Sequence, residues 1–315
     1  MKIHVPNSAF IYNIDSFLAG FDPSDPSILE VSTNDQWISM HPLVLCMIAA
    51  LALKTDNATI DEVKARSGHY ITRMGLYPFL GLPSPHEIEE HDPSGRFIPL
   101  TQIESSGELT DFLNDMVPLL HLPPAQSRTI RYIMSELIRN VLEHAQAGNG
   151  AIVAAQYYSK SNTIRIGIVD TGIGIKQSMA FAHATASDLE AIKMSLIPGM
   201  TGTTVREGGT DYNAGAGLFF VKSIATINED PFLIYSGNSM YKLLKSKKKK
   251  LNWNPEDDSH SEREDLPRWE GTVVGLDINL DSTEAFADLL TLIQSTYSEA
   301  VRVRRKDRFR KANFI

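Results

Sequence analysis

Residues 136–144 read ELIRNVLEH, and residues 168–175 read IVDTGIGI. The first stretch belongs to a run in which apolar side chains recur every three or four positions, namely Ile130, Ile133, Met134, Leu137, Ile138 and Val141. This spacing predicts a helix with one stripe facing a core. Glu136, Asn140 and Glu143 fall on another face of the helix. Side-chain oxygens aligned in this way can hold a hard cation and polarise a water or hydroxyl beside it, which favours Mg²⁺-nucleotide chemistry.

Three further motifs follow this helix along the chain. They are Asp170-Thr171-Gly172-Ile173-Gly174-Ile175, Gly215-Ala216-Gly217-Leu218 and Gly271-Thr272. Together with the helix, they resemble the ordered boxes of the GHKL superfamily of ATP-binding proteins, which includes DNA gyrase, heat-shock chaperones, histidine kinases, MutL and anti-sigma serine kinases. The resemblance covers roughly residues 113–281, and four motifs in the right order make it specific.

The resemblance implies an α/β fold class. Residues 113–281 are expected to form a Bergerat-type ATP-binding fold, an α+β sandwich of helices on a mixed, largely antiparallel sheet. Residues 1–112 are expected to form a smaller N-terminal α/β domain, which faintly resembles the STAS-like domains that accompany some GHKL modules. Residues 282–315 are expected to be a C-terminal helix with a basic tail.

The resemblance also implies ATP and Mg²⁺ as cofactors and assigns roles to residues. Asn140 is expected to coordinate Mg²⁺, and Glu136 to act as the catalytic residue that orients or deprotonates the attacking group. Asp170 is expected to accept a hydrogen bond from the exocyclic amine of adenine, a donor that guanine lacks at that edge. Glu143 resembles the acidic residue that supports this aspartate in the gyrase and MutL branch.

Glycine-rich stretches complete the expected site. Gly172 and Gly174 lack a Cβ, so the backbone can lie close to the adenine ring. Residues 200–210 are rich in Gly and Thr, which predicts a lid over the phosphates, and the helix after it presents backbone N–H groups suited to anions. The expected nucleotide-binding residues are Asn140, Glu143, Asp170, Gly172, Gly174, Ile175, Gly215, Ala216, Gly217, Leu218 and Thr272.

Each motif taken alone has a simpler interpretation. Asp170 and Gly172 fit a turn that closes a hairpin. Glu136 and Asn140 fit a solvated helix face, and Thr272 fits the start of a strand. The order of the motifs along the chain favours the nucleotide-binding interpretation over these alternatives.

Composition limits the class of protein. The chain has 315 residues, of which 43% are hydrophobic, and a net charge of −8, so as a whole it is not a polyanion binder. Its one cysteine, Cys46, cannot form an internal disulfide, and its apolar neighbours indicate an inert buried thiol. The apolar run at 43–53 is about half of the ~20 residues that cross a bilayer. We therefore expect a cytoplasmic protein without membrane contact.

Local patterns predict several elements. Ser127 is expected to cap a helix that reaches Ala147, and residues 151–157 and 163–170 are expected to pair as antiparallel strands. A second helix is expected within residues 59–80. His41, beside Pro42, is either a phosphoacceptor or a helix-start histidine. The prolines that follow exclude the long helical hairpin on which acceptor histidines sit, which favours the helix start.

Charged segments are expected to be solvated. Lys222 is interpreted as an exposed charge on the helix after the glycine motif. Residues 242–265 carry a basic block and then an acidic block, which predicts a mobile loop. Residues 302–311 hold seven basic side chains, a patch suited to nucleic acid or an acidic partner, but a solvated tail is the preferred interpretation and nucleic-acid binding is not expected.

Three functions are compatible with the resemblance. The leading hypothesis is a Mg²⁺-dependent ATP-binding protein in which ATP binding or hydrolysis drives a lid-based conformational switch. The second is an anti-sigma-type kinase that phosphorylates a serine of a STAS-like partner. The third is a module that binds ATP without hydrolysing it and associates with a partner only when loaded. Besides ATP, we expect a protein partner of unknown identity, and a homodimer is kept open.

Overall fold

The computed structural model describes residues 1–65, 67–85, 97–203, 217–245, 251–282 and 286–312, with the backbone alone at 119, 282, 286–290 and 305–312. These residues form an α/β structure with a seven-stranded antiparallel sheet and a three-stranded parallel sheet. The expected α/β class is therefore confirmed.

The small sheet lies entirely in the N-terminal part of the chain. Its strands are β1 (Lys2–Val5), β2 (Ile28–Thr33) and β3 (Asn57–Ile60), and β2 pairs in parallel with both neighbours. In β1 and β2 buried and more exposed side chains alternate, so one face of the sheet packs on a core and the other faces solvent. Similarity to STAS-like domains stays a prediction.

The large sheet has the strand order β4-β5-β6-β10-β7-β8-β9, and every neighbouring pair is antiparallel. The expectation of a mixed sheet was wrong, but the expected antiparallel pairing of β5 with β6 is confirmed. The strands are β4 (Phe97–Ile103), β5 (Ala151–Tyr158), β6 (Thr163–Val169), β7 (Phe232–Gly237), β8 (Ser239–Leu243), β9 (His260–Arg263) and β10 (Trp269–Asn279). The sheet thus includes β4, a strand from the segment that the sequence assigned to the first domain.

The helices differ in two places from the sequence expectation. The described helices are α1 (Asp15–Ala19), α2 (Pro42–Ala52), α3 (His69–Arg73), α4 (Leu76–Phe79), α5 (Ser106–Asp115), α6 (Pro124–Asn140), α7 (Gly174–Ala180), α8 (Asp188–Ser195), α9 (Gly217–Asn228) and α10 (Phe286–Ala312). Residues 59–80 contain the expected helix, but as two short helices, because Gly75 adopts a left-handed conformation with φ of 78° and separates α3 from α4. Helix α6 begins at Pro124, whose fixed φ suits a first helical position, so Ser127 lies inside the helix and does not cap it.

The large sheet separates two hydrophobic cores. Helix α2, whose residues are all buried, packs across β5, β6 and β10 on one face. Helices α6 and α9 cover the other face, where they meet Ile164, Ile166 and Ile168 of β6. Because successive side chains of a strand point to opposite faces, the alternate residue Gly167 faces α2. Helix α2, on one face, and helices α6 and α9, on the other, therefore pack on the same sheet.

His41 is buried at the start of α2, between the helix and the sheet. Its Nδ1 accepts a hydrogen bond from the N–H of Leu43, which caps the helix, as the helix-start interpretation expected. Its Nε2 lies 3.0 Å from Oδ1 of Asp277 on β10, and Oδ2 of Asp277 accepts from Nε of Arg165 at 3.2 Å. The sequence did not indicate this buried polar link from α2 to the sheet.

Lys222 and the following insertion are more ordered than expected. The interpretation of Lys222 as a solvated charge was wrong, because it is fully buried and its Nζ lies 2.6 Å from Oδ2 of Asp258. Within residues 242–265, β8 and β9 pair, so the expectation of a mobile loop was wrong for these residues, and 246–250 lie outside the described residues. Lys222 of α9 and Asp258 of the acidic block, both expected to be solvated, instead form a buried ion pair.

Three further expectations concern Cys46, membrane-spanning helices and the C-terminal segment. Cys46 is fully buried in α2, which confirms the expected burial, and this burial raises the pKa of its thiol well above the usual value. Within the described part of the chain, no helix combines the length and apolar character that crossing a membrane requires. The expected C-terminal helix is confirmed as α10.

Substitution of Gly167 by Ala should test the contact between α2 and the sheet. A Cβ at Gly167 would lie 2.5 Å from Cα of Leu43, so helix and sheet would have to separate. We expect Gly167→Ala to lower the free energy of unfolding by roughly 3 kcal/mol, the upper end for an overpacked core. Gly275→Ala is the matched control, because its Cβ would meet the mobile end of the Leu43 side chain at 2.7 Å. Equal losses in urea denaturation would contradict a close backbone contact at Gly167.

Candidate functional site

A cavity of about 330 Å³ lies on the α6 face of the large sheet, which is at the lower end of the roughly 300–1,000 Å³ of small-molecule sites. It is bounded by α6, the turn after β6, the start of α9 and the first part of β10. Its lining includes Glu136, Asn140, Glu143, Asp170, Gly174, Ile175, Gly217, Leu218 and Thr272, all expected from the sequence. Gly172 lies behind the turn and lines a neighbouring groove, and Gly215 and Ala216 lie outside the described residues.

One face of α6 supplies the polar side of the cavity. Tyr132, Glu136 and Asn140 follow one another at intervals of four and all line it. The side-chain nitrogen of Asn140 is buried and has no hydrogen-bond partner among the described residues. Burial raises the pKa of Glu136, and Glu143 adds to the rise while Arg139 opposes it. A buried amide without a partner and a desolvated carboxyl beside it are features of a binding site.

A π-helical turn, Val141–Ala145, continues α6 along the cavity. The carbonyl oxygen of Ala145 accepts a hydrogen bond from the N–H of Ile173 at 2.8 Å, which ties this turn to the loop after β6. A Cβ at Gly172 would lie 2.0 Å from the same oxygen, so glycine is required there. Single π-helical turns often occur at functional sites, and this one brings the end of α6 against the Asp170 loop.

Asp170 directly follows the last residue of β6 and is 2% exposed. Its Oδ1 accepts a hydrogen bond from the N–H of Gly172 at 2.8 Å, and its own N–H donates to the carbonyl of Thr272 at 2.9 Å. Burial raises the pKa of Asp170 to about 6, against the opposing effect of hydrogen bonds from Gly172 and Thr272. The site therefore holds a carboxyl group whose charge is weakly solvated and available to a ligand.

Helix α9 begins against the two polar residues of α6. A Cβ at Gly217 would lie 2.7 Å from a carboxylate oxygen of Glu136 and 3.5 Å from the amide nitrogen of Asn140. Glycine at this position therefore lets the first turn of α9, whose N–H groups have no partner within the helix itself, come close to both side chains. The expected juxtaposition of the glycine motif with the acidic helix is present for Gly217 and Leu218.

Glu143 lies at the rim of the cavity, half-exposed. Its carboxylate oxygens are 3.8 Å from Nε of Arg139 and 3.9 Å from Nε2 of His144, distances of weak surface ion pairs. Arg139 and His144 also line the cavity. The rim thus combines one acidic and two basic groups, which the sequence analysis did not foresee.

The start of the expected lid is anchored beside the cavity. Nε2 of His183 lies 3.0 Å from the carbonyl oxygen of Thr201, and a Cβ at Gly202 would lie 2.1 Å from the carbonyl oxygen of Ser178. Residues 204–210, the rest of the expected lid, lie outside the described residues. Sequence reasoning missed the lining residues Tyr132, Ser178, Met179 and Ser195, whereas Thr201 and Gly202 belong to the expected lid. Of these, Tyr132 had a signal, because it precedes Glu136 by one helical turn.

Comparison with known proteins adds no assignment. No model of a known protein family matches the chain, and no curated protein matches it.

Proposed function

We propose that this chain is a Mg²⁺-dependent ATP-binding protein of the GHKL type, with a Bergerat-type fold around the large sheet. The proposal is supported by one observation above all. Glu136 and Asn140 of α6, Asp170 after β6, Gly217 of α9 and Thr272 of β10 come from four separated segments and line one cavity. The motif resemblance expects these residue types together, and chance contact of unrelated motifs would not collect them in this way.

Asp170 and Thr272 would bind the base. One oxygen of the Asp170 carboxylate already accepts from Gly172, and an adenine amine would donate to this group from the cavity. Guanine carries a carbonyl at the corresponding edge, so a buried carboxylate would repel it. Desolvation strengthens this discrimination, because a polar group left unpaired in such a site costs more than in water.

Asn140 and the first turn of α9 would hold the phosphate end. The amide nitrogen of Asn140 is buried and lacks a partner among the described residues, which fits a ligand site, and the amide oxygen of the same side chain is of a type that suits Mg²⁺. The N–H groups at the start of α9 are suited to phosphate oxygens. When bound, Mg²⁺ would neutralise the charge of the phosphates. Gly217 keeps this corner open for both groups.

Glu136 would accept a proton from the group that attacks the terminal phosphate, or orient that group. Burial raises the pKa of Glu136, which moves it toward the operating pH of a general base. The attacking group is water if the protein is an ATPase and a hydroxyl of a partner if it is a kinase.

The variant Glu136→Gln should separate binding from turnover. We expect ATP affinity to stay within about threefold of wild type, while phosphate transfer falls roughly 100-fold or more, because general-base groups contribute about 10²–10⁴. Binding would be measured by calorimetry and transfer with γ-labelled ATP, counting free phosphate and protein-bound phosphate separately. Arg139→Gln, at the rim of the same helix, is the control. Undiminished transfer in Glu136→Gln would remove the proposed base.

A further inference from the structure

Ser236 of β7 lies beside the proposed base site, in the neighbouring groove, and is 2% exposed. Its Oγ accepts a hydrogen bond from the N–H of Ile175 at 3.0 Å and donates one to the carbonyl oxygen of Gly271 at 2.7 Å. In the sheet, Ser236 is the register partner of Thr272, so its side chain lies on the cavity side. One hydroxyl group therefore connects the backbone at the start of α7 to the backbone of Gly271 in the first part of β10.

The two backbone segments that Ser236 joins both flank Asp170. Gly271 has φ of 105°, and a Cβ there would lie 2.2 Å from the carbonyl oxygen of Asp170. Gly174 has φ of 75°, and a Cβ there would lie 2.9 Å from Oγ of Ser236. The serine hydroxyl thus fills a narrow space between two glycines, and no larger side chain at either glycine would fit without a shift.

Trp269 provides a second link at the same place. It is 1% exposed, and its indole N–H donates to the carbonyl oxygen of Asp170 at 3.0 Å. Together, the Ser236 and Trp269 side chains form hydrogen bonds with three backbone groups around the Asp170 loop, namely the N–H of Ile175 and the carbonyl oxygens of Gly271 and Asp170. Ser236 and Trp269 therefore hold the backbone around Asp170, although neither of them lines the cavity.

We propose that Ser236 is a positioning residue that fixes the spacing between Asp170 and Thr272 and thereby sets the preference of the site for adenine over guanine. This inference rests on the proposed ATP-binding function and extends it to a residue outside the motifs. Loss of the hydroxyl leaves two buried backbone groups without partners, and such groups draw in water or move to find others. Either response widens the loop, so the carboxylate loses its fixed place and with it the basis of discrimination.

Three variants of the full chain test the inference. Ser236→Ala removes the link, and Ser236→Thr keeps the hydroxyl. Ser239→Ala is the matched control, because Ser239 is the cross-strand partner of Ser236 in β8, is fully buried, donates to the side chain of Asn238 and is not among the residues that line the cavity. For each variant, amide hydrogen exchange of residues 171–176 is measured without nucleotide, and the dissociation constants of ATP and GTP with Mg²⁺ are measured by calorimetry.

In Ser236→Ala we expect exchange at 171–176 to become about tenfold faster, and the ratio of GTP to ATP dissociation constants to fall about tenfold. Ser236→Thr should restore the wild-type ratio, and Ser239→Ala should change neither quantity. If wild type binds ATP but Ser236→Ala keeps the same ratio, the positioning role is wrong and the proposed function stands. If wild type binds neither nucleotide, both are overturned.

Discussion

Asp170→Asn is expected to abolish selective binding of ATP, with a loss of affinity of roughly 100-fold or more. The carboxylate carries only acceptor atoms, whereas an amide carries one acceptor and one donor. In the native structure Oδ1 accepts from the N–H of Gly172, so an asparagine that keeps this bond must direct its NH₂ group toward the adenine amine. Two donors then face each other in a buried site, which costs more than losing the bond.

Asp230→Asn is the matched control for this substitution. Asp230 is also buried, and its two carboxylate oxygens accept a hydrogen bond from the backbone N–H of Asn279. Burial raises its pKa to about 7. It is not among the residues that line the cavity. Asp230→Asn should bind ATP as wild type does in calorimetry, and an equal loss in both variants would contradict a specific role for Asp170.

The pKa of Asp170 gives the same site a pH dependence. With a value of about 6, the group is mostly ionised at neutral pH and takes up a proton as the pH falls through 6. ATP affinity should therefore fall below pH 6 in wild type and in Asp230→Asn. Since burial raises this pKa above that of the unfolded chain, ionisation of Asp170 opposes folding. The contribution of Asp170 to the free energy of unfolding of the nucleotide-free protein is fully present below about pH 4 and is lost as the pH rises through about 6.

Lys222→Ala is expected to cause the largest loss of stability, about 3–5 kcal/mol, the range for breaking a buried ion pair from one side. Nζ of Lys222 lies 2.6 Å from Asp258 and 2.9 Å from the carbonyl oxygen of Asn252, and the Lys222 and Asp258 side chains are 0% and 1% exposed. Burial lowers the pKa of Lys222 and Asp258 opposes this, so the pair persists because each charge satisfies the other. The variant leaves the Asp258 carboxylate buried without a counter-charge.

Chemical denaturation of Lys222→Ala against Lys193→Ala measures this cost. Lys193 contacts Glu256 and Glu262 at 2.7 Å, but these carboxylates are exposed, so its loss should cost no more than about 1 kcal/mol. The double variant Lys222→Met with Asp258→Leu should recover most of the loss, because no unpaired charge remains. Equal losses in the two lysine variants would contradict a buried pair at Lys222.

The local part of the site could be predicted from the sequence. The apolar period of α6 placed Glu136 and Asn140 on a face away from the core, and the alternation of β6 placed Asp170 at a strand end. Both rest on periodicities that any residue in a helix or strand obeys. The positions of Gly217 and Thr272 followed from the motif order.

The long-range part could not be predicted. Strand β4 joins the large sheet through pairing with β5, about fifty residues later, and no local pattern specifies such a partner. Burial of Lys222 depends on Asp258, which the sequence separates from it by an insertion of charged residues. Ser236 carries no motif, because its role is a pair of hydrogen bonds to backbone atoms that any sequence would offer.

The contact between the N-terminal helix α2 and the strands that lead to the site could not be predicted from the sequence either. Helix α2 packs on β5, β6 and β10, and the last two of these strands carry Asp170 and Thr272 at their ends. His41 and Asp277 join the helix to β10 by a buried hydrogen bond. The N-terminal segment therefore contacts the two strands from which Asp170 and Thr272 are presented.

The most direct measurement is calorimetric titration of the full chain with ATP and then with GTP, each in the presence of Mg²⁺ and at neutral pH. We expect one saturable ATP site per chain and GTP binding that is at least about tenfold weaker, with the ATP site lost in Asp170→Asn. Absence of ATP binding, or equal affinity for the two nucleotides, would contradict the assignment of the cavity to an adenine nucleotide.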